Sequence, residues 1–132
     1  MSRIKKSVKQ IVAEADAEVD AVTIEEAKVA VADGALLVDL RDVRELRREG
    51  TIPGAFHAPR GMLEFWVDPE SPYHHEALSA ADHLVLFCNL GWRSALAAKA
   101  LQDMGLTNVA HLDGGFDAWK AGGGAVEDPP RR

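Results

Sequence analysis

The sequence predicts an α/β fold with a central, mainly parallel sheet flanked by helices. Two observations carry this prediction. Short continuous apolar runs, typical of strands buried on both faces, recur along the chain. Helical segments separate these runs, and strands that alternate with helices favour parallel pairing. The 132 residues are enough for one domain with a substantial core.

Two helices are predicted before the first strand. Apolar side chains recur at spacings of three, four and seven over residues 4–19, which is typical of an amphipathic helix. Thr23 stands three residues before Glu26 in a capping-box pattern, and Gly34 follows as a stop signal. A second helix is therefore expected over residues 24–33.

The remaining elements alternate along the chain. Strands are predicted at 35–38, 56–58, 84–87 and 109–112, and helices at 43–49, 94–104 and 115–121. Residues 62–77 contain proline, aspartate and histidine and are predicted as a loop with one helical turn near Leu63. A glycine- and proline-rich flexible tail is expected over residues 123–132.

Composition disfavours several classes of function. The formal net charge of -6 argues against a nucleic-acid partner or an anionic membrane surface, since both require a concentrated basic face. One cysteine cannot form an internal disulfide, so nothing requires an oxidising compartment. No apolar stretch near the start resembles a signal peptide or a membrane span. We expect a cytoplasmic protein.

The single cysteine, Cys88, lies where chemistry is expected in such a fold. It directly follows the predicted strand 84–87 and precedes a predicted helix, and active groups of parallel sheets lie beyond the carboxyl ends of the strands. Backbone N–H groups at a helix start favour the thiolate, and Gly91 allows the sharp turn between the two elements. The alternative is a small, inert, buried side chain.

Four sequence boxes, in order, resemble the motifs of single-domain rhodaneses. The boxes are Leu37–Arg41 (D-x-R), Gly50–Ala55 (G-H-I-P-G-A), Cys88–Ser94 (C-x-x-G-x-R-S) and Asp113–Trp119 (G-G-x-x-x-W). Four ordered boxes are far more specific than any one of them. The resemblance covers roughly residues 21–122, which leaves residues 1–20 as an N-terminal helical extension. Thr51 stands where the second box usually has a histidine that serves in structural hydrogen bonding.

The resemblance implies a three-layer rhodanese-like fold and a sulfurtransferase activity. Cys88 would attack the outer sulfur of a donor such as thiosulfate or a thiol persulfide, hold it as a persulfide, and pass it to cyanide or a thiol. No metal and no organic cofactor is expected. The residues expected to form the substrate cradle are Asn89, Leu90, Gly91, Trp92, Arg93 and Ser94.

The surrounding residues leave some roles open. Asp39 and Arg41 are interpreted as a structural ion pair that braces the loop rather than as catalytic groups. Arg93 could meet an anionic donor or pair with an acidic neighbour, and its guanidinium fork suits both roles. Leu90 and Trp92 stand where relatives that react strongly with thiosulfate often carry basic residues. A thiol persulfide or a partner protein is then the better candidate donor.

Two other functions are compatible with the resemblance. Phosphatases and arsenate reductases of this fold have a cysteine-to-arginine interval one residue longer, which cradles a tetrahedral oxyanion. This chain has four residues, 89–92, between the cysteine and the arginine, an interval that suits a single sulfur atom better. A non-catalytic binding module would have no need of the cysteine.

Overall fold

A five-stranded parallel sheet forms the centre of the protein in the computed structural model, which describes residues 3–130. Its strands are β1 (Asp20–Val22), β2 (Leu36–Asp39), β3 (Phe56–His57), β4 (Leu84–Phe87) and β5 (Val109–Leu112). Their order across the sheet is β1-β5-β4-β2-β3, and every neighbouring pair is parallel. The predicted parallel sheet is confirmed.

Seven helices lie within the described residues. They are α1 (Val8–Glu18), α2 (Ile24–Ala32), α3 (Val43–Glu49), α4 (Leu63–Val67), α5 (Glu76–Ala80), α6 (Trp92–Asp103) and α7 (Gly115–Ala121), with a 3-10 turn at Arg60–Met62 before α4. Side-chain caps fix where three of them begin: the Ser7 hydroxyl accepts the Gln10 N–H at α1, and capping boxes join Thr23 with Glu26 at α2 and Asp42 with Glu45 at α3. None of these helices has the length and apolar character of a membrane span.

Two elements escaped sequence prediction. Strand β1 has three residues at the sheet edge, two of them exposed, so no apolar run marks it. Helix α5 begins at the end of the segment 62–77 and continues past it, and Leu78 is its one buried residue. Short elements with so few buried side chains leave little periodic signal.

Consecutive residues of a strand pack into hydrophobic clusters on opposite faces of the sheet, because side chains alternate along a strand. Val38 packs with side chains of α4, α5 and α6 on one face of the sheet, whereas Leu37 packs with side chains of α2 and α7 on the other. Helix α1 lies outside α6, where Val12 and Ala15 contact Ala95. The fold is therefore a three-layer α/β fold, with α1 as an additional helix on one layer.

The end of the chain differs from the flexible tail predicted over 123–132. Thr51 and Glu127 exchange two backbone hydrogen bonds, of 2.8 and 2.9 Å, in an antiparallel bridge. The Trp119 indole N–H donates to the Ala125 carbonyl oxygen at 2.8 Å. Backbone pairing, to which side-chain composition gives no clue, attaches this segment to the body; residues 131–132 lie outside the described range.

Candidate active site

The carboxyl ends of β2 and β4 bring two of the predicted site residues to the same edge of the sheet. The strands pair in register, with Asp39 opposite Phe87, so Cys88 follows directly beside the end of β2. The chain then turns through residues 88–94, the cysteine loop, into α6. Gly91 caps α6 with φ of +114°, a left-handed conformation that residues with a Cβ rarely adopt.

The Cys88 thiol lies at the bottom of this loop. Cys88 is only 1% exposed. Its Sγ accepts the Gly91 backbone N–H at 3.2 Å and lies 3.7 Å from the Ser94 Oγ. Of the amides from which a cradle was predicted, the Gly91 amide is the one that bonds the sulfur. Donors aimed at a sulfur atom favour its anionic form.

A buried ion pair lies directly behind the loop. Arg41 donates to both carboxylate oxygens of Asp39, with Nε–Oδ1 and Nη2–Oδ2 distances of 3.0 and 2.8 Å, and both side chains are buried. The Thr51 hydroxyl donates to Asp39 Oδ2 at 2.8 Å, and Arg41 also donates to the Gly50 carbonyl oxygen at 2.8 Å. Arg41 Nη1 reaches the Asn89 side-chain oxygen at 3.2 Å, so the pair contacts the cysteine loop.

Arg93 pairs with an acidic side chain that the sequence did not single out. Its guanidinium donates to both carboxylate oxygens of Glu45 at 2.8 and 3.0 Å. These hydrogen bonds hold the pKa of Glu45 below its ordinary value and raise that of Arg93. Glu45 also accepts the Asn89 side-chain N–H at 2.8 Å. Of the two roles open to Arg93, the structure contains the ion pair.

The start of α7 supports the loop from below. The backbone N–H groups of Phe116 and Asp117 donate to the carbonyl oxygens of Cys88 and Asn89 at 2.8 and 3.1 Å. Gly115, with φ of +62°, lies so close that a Cβ there would be 2.5 Å from each of these oxygens. Gly115, the second glycine of the G-G-x-x-x-W box, thus permits the close approach of α7 to the cysteine loop.

A second polar group that the sequence did not single out contacts Ser94 of the cysteine loop. His111 of β5 is buried, with Nδ1 2.9 Å from Ser94 Oγ and Nε2 3.0 Å from Asp16 Oδ1 of α1. A polar residue inside the apolar strand 109–112 was the one signal that could have marked it. Asp16 and Glu45 carry no such signal, because both lie on amphipathic helices that are far in sequence from the residues they contact.

The rim of the cysteine loop is apolar. Leu90 is 68% exposed and Trp92 is 50% exposed, while the Arg93 guanidinium is held by Glu45. Two large apolar side chains are therefore exposed in the loop that contains the buried thiol.

Comparison with known families identifies the family of the chain. The family model described as Rhodanese-like domain matches residues 23–122. The chain belongs to the rhodanese-like family. A human relative, "Thiosulfate:glutathione sulfurtransferase", is 34% identical over 106 residues, which make up 74% of this chain and 90% of the relative.

Solved structures agree on the fold. A Rhodopseudomonas palustris protein of unknown function, described as a possible tyrosine phosphatase, superposes with a TM-score of 0.90 at 44% identity, covering 96% of this chain and 98% of that one. A human single-domain sulfurtransferase superposes with a TM-score of 0.65 at 30% identity, covering 78% of this chain and 96% of that chain. The chain is thus a rhodanese-like protein with sulfurtransferases among its relatives.

Proposed function

We propose that this rhodanese-like protein is a sulfurtransferase that carries sulfur on Cys88. The observation that carries the proposal is the placement of the thiol. Cys88 accepts the Gly91 N–H at the start of α6, beside a buried ion pair, and relatives of the chain are named as sulfurtransferases. A thiolate stabilised in this way is a nucleophile suited to covalent group transfer.

The reaction has two half-reactions. The Cys88 thiolate attacks the outer sulfur of the donor, a new S–S bond forms, and the old bond breaks with its electron pair on the leaving group, which is sulfite or a thiolate. An acceptor thiol or cyanide then attacks the outer sulfur, and Cys88 leaves as thiolate. The persulfide places its charge one atom beyond the Cys88 sulfur, where we expect further N–H donors of the loop to stabilise it.

The loop surroundings favour a thiol persulfide, or a partner protein that carries one, over thiosulfate as the donor. Thiosulfate is a compact dianion, and the one cation of the cysteine loop, Arg93, is paired with Glu45. The exposed rim residues Leu90 and Trp92 offer apolar contact instead. Desolvation of a dianion without a free cation is costly.

Intact-protein mass spectrometry after incubation with thiosulfate or glutathione persulfide tests this function. We expect the mass of one added sulfur atom, gained faster from the persulfide and lost on addition of an acceptor thiol. Cys88 is the sole cysteine, so the Cys88→Ser variant is a complete control. Failure of both donors to add sulfur, or equal labelling of Cys88→Ser, would overturn the proposal.

The description of the Rhodopseudomonas palustris structure raises a second candidate, a phosphatase. Such an enzyme would cradle a tetrahedral phosphate on amides and a free arginine. Here four residues separate Cys88 from Arg93, and that arginine is bound to Glu45. Turnover of an aryl phosphate that depends on Cys88, without sulfur loading, would favour the phosphatase.

A further inference from the structure

A row of polar side chains leads from the Cys88 sulfur to the surface at helix α1. Cys88 Sγ lies 3.7 Å from Ser94 Oγ, which lies 2.9 Å from Nδ1 of His111. Nε2 of His111 lies 3.0 Å from Oδ1 of Asp16. Cys88, Ser94 and His111 are buried, whereas the Asp16 carboxylate is half-exposed. The row is therefore continuous from the thiol to solvent.

The available protons give the row a direction. With a neutral thiol, Cys88 donates to Ser94 Oγ, the Ser94 hydroxyl donates to Nδ1 of His111, and the Nε2–H donates to the Asp16 carboxylate. Every donor then has an acceptor, as buried polar groups require. Imidazole is also the side chain best able to gain a proton near neutral pH.

We propose that His111, held by Asp16, is a positioning residue that takes up the Cys88 proton through Ser94. As the Cys88 S–H bond breaks, a new O–H bond forms on Ser94; the original Ser94 O–H bond breaks as the Nδ1–H bond forms. No electron leaves the row. The products are a thiolate and an imidazolium that bonds both Ser94 and Asp16. The catalytic consequence rests on the proposed function, whereas the proton transfer does not.

The other groups that contact the Cys88 sulfur within the described chain cannot replace this route. The Gly91 backbone N–H donates only. The Arg93 guanidinium has no acceptor site, and it donates to both carboxylate oxygens of Glu45. Ser94 is the contact that can both accept and pass on a proton.

The surroundings of His111 leave Asp16 to compensate the charge of the imidazolium. Its register neighbours on the two adjacent strands, Ala21 of β1 and Leu86 of β4, are apolar. Helix α6 contributes Ser94, which is neutral, and α1 contributes the Asp16 carboxylate. A buried imidazolium beside one carboxylate is strongly favoured over one without any anion.

Helix α1 thereby adds a residue to the site from outside the segment 23–122 that matches the family. Val12 and Ala15 of α1 pack on Ala95, the residue after Ser94. This packing places Asp16, next along the helix, against His111. The N-terminal helix thus orients the acid of the row as well as covering α6.

The experiment follows the ultraviolet absorbance of the thiolate against pH, with the matching Cys88→Ser background subtracted. Because one cysteine is present, the difference reports Cys88 alone. We expect Asp16→Asn to raise the midpoint by about one pH unit, because the His111 imidazolium that stabilises the thiolate then loses its carboxylate partner. His111→Asn should raise it further, and adding Asp16→Asn to His111→Asn should change nothing more, since the two act as one unit.

Two controls separate this role from a merely structural one. Glu14→Gln removes the same charge from the same helix, where Glu14 pairs with exposed Lys6, and should leave the midpoint unchanged. Asp16→Glu keeps the carboxylate and should restore part of the shift. An unchanged midpoint in a folded Asp16→Asn variant, or an equal shift in Glu14→Gln, would overturn the proposal. A shifted midpoint without any sulfur loading would refute the sulfurtransferase function and leave the proton route intact.

Discussion

Replacement of Asp39 by asparagine tests whether the buried ion pair holds the site. The change keeps the shape of the side chain but removes the charge that faces Arg41, whose two hydrogen bonds to Asp39 measure 3.0 and 2.8 Å. The Arg41 guanidinium is fully buried, 4.1 Å over the Phe116 ring, and cannot reach water. Breaking a buried pair in this way costs about 3 to 5 kcal/mol.

We expect the loss of stability to lie at the lower end of that range because Glu49 is also close to Arg41. Its carboxylate lies 3.7 Å from Arg41 and offers part of the missing negative charge. At a urea m-value of about 1.5 kcal/mol/M, a loss of about 3 kcal/mol lowers the unfolding midpoint by about 2 M. Thr51→Val, which removes one hydrogen bond to Asp39, should cost about 1 kcal/mol.

Urea unfolding followed by circular dichroism measures these losses. The matched control is Glu25→Gln, which breaks an exposed ion pair with Lys28 and should hardly move the midpoint. Asp39→Asn should also slow sulfur loading, because Arg41 holds the Asn89 side chain. The reasoning is refuted if Asp39→Asn lowers the midpoint no more than Glu25→Gln does.

Three further predictions concern the cysteine loop. Gly115→Ala should cost about 3 kcal/mol in urea unfolding, since a Cβ overlaps the loop carbonyl oxygens, whereas Gly105→Ala, also at positive φ but in open space, should cost only about 1 to 2 kcal/mol. Hydrogen bonds from Arg93 hold the pKa of Glu45 below its ordinary value of 4.5. They therefore stabilise the folded state fully above that pH, and this stabilisation is lost as acid protonates Glu45. Glu45→Gln should make the free energy of unfolding fall less steeply at acid pH, and an unchanged acid dependence would contradict this. Leu90→Lys should speed loading from thiosulfate about fivefold and leave loading from glutathione persulfide unchanged, with Leu90→Gln as the control in both assays.

Apolar pattern and capping predicted most of the fold. The strands Leu84–Phe87 and Val109–Leu112 and the helices Val43–Glu49 and Gly115–Ala121 have the predicted bounds, because continuous apolar runs and flanking glycines mark their ends. Strand β1 was missed because an edge strand of three residues is marked by its backbone partner in β5 and not by its own side chains.

The site was predictable only as far as its contacts are local in sequence. Asp39 and Arg41 are two residues apart, so their pairing could be inferred from the D-x-R box. Glu45 and Arg93 are 48 residues apart and meet only because β2 and β4 are neighbours in the sheet. His111 contacts Asp16 across 95 residues of chain, which no spacing rule relates.

The Asn89 side chain joins the two ion pairs into one network. Its oxygen accepts from Arg41 and its N–H donates to Glu45, so the network runs from Asp39 through Asn89 to Arg93. Two carboxylates and two guanidinium groups in this run balance in charge. An anionic donor that approaches the cysteine loop therefore meets no net positive charge from these four groups. For the proposed sulfur transfer we therefore expect contacts with the apolar rim to contribute to donor binding, and the chemistry beyond the transferable sulfur to decide which donor loads the thiol.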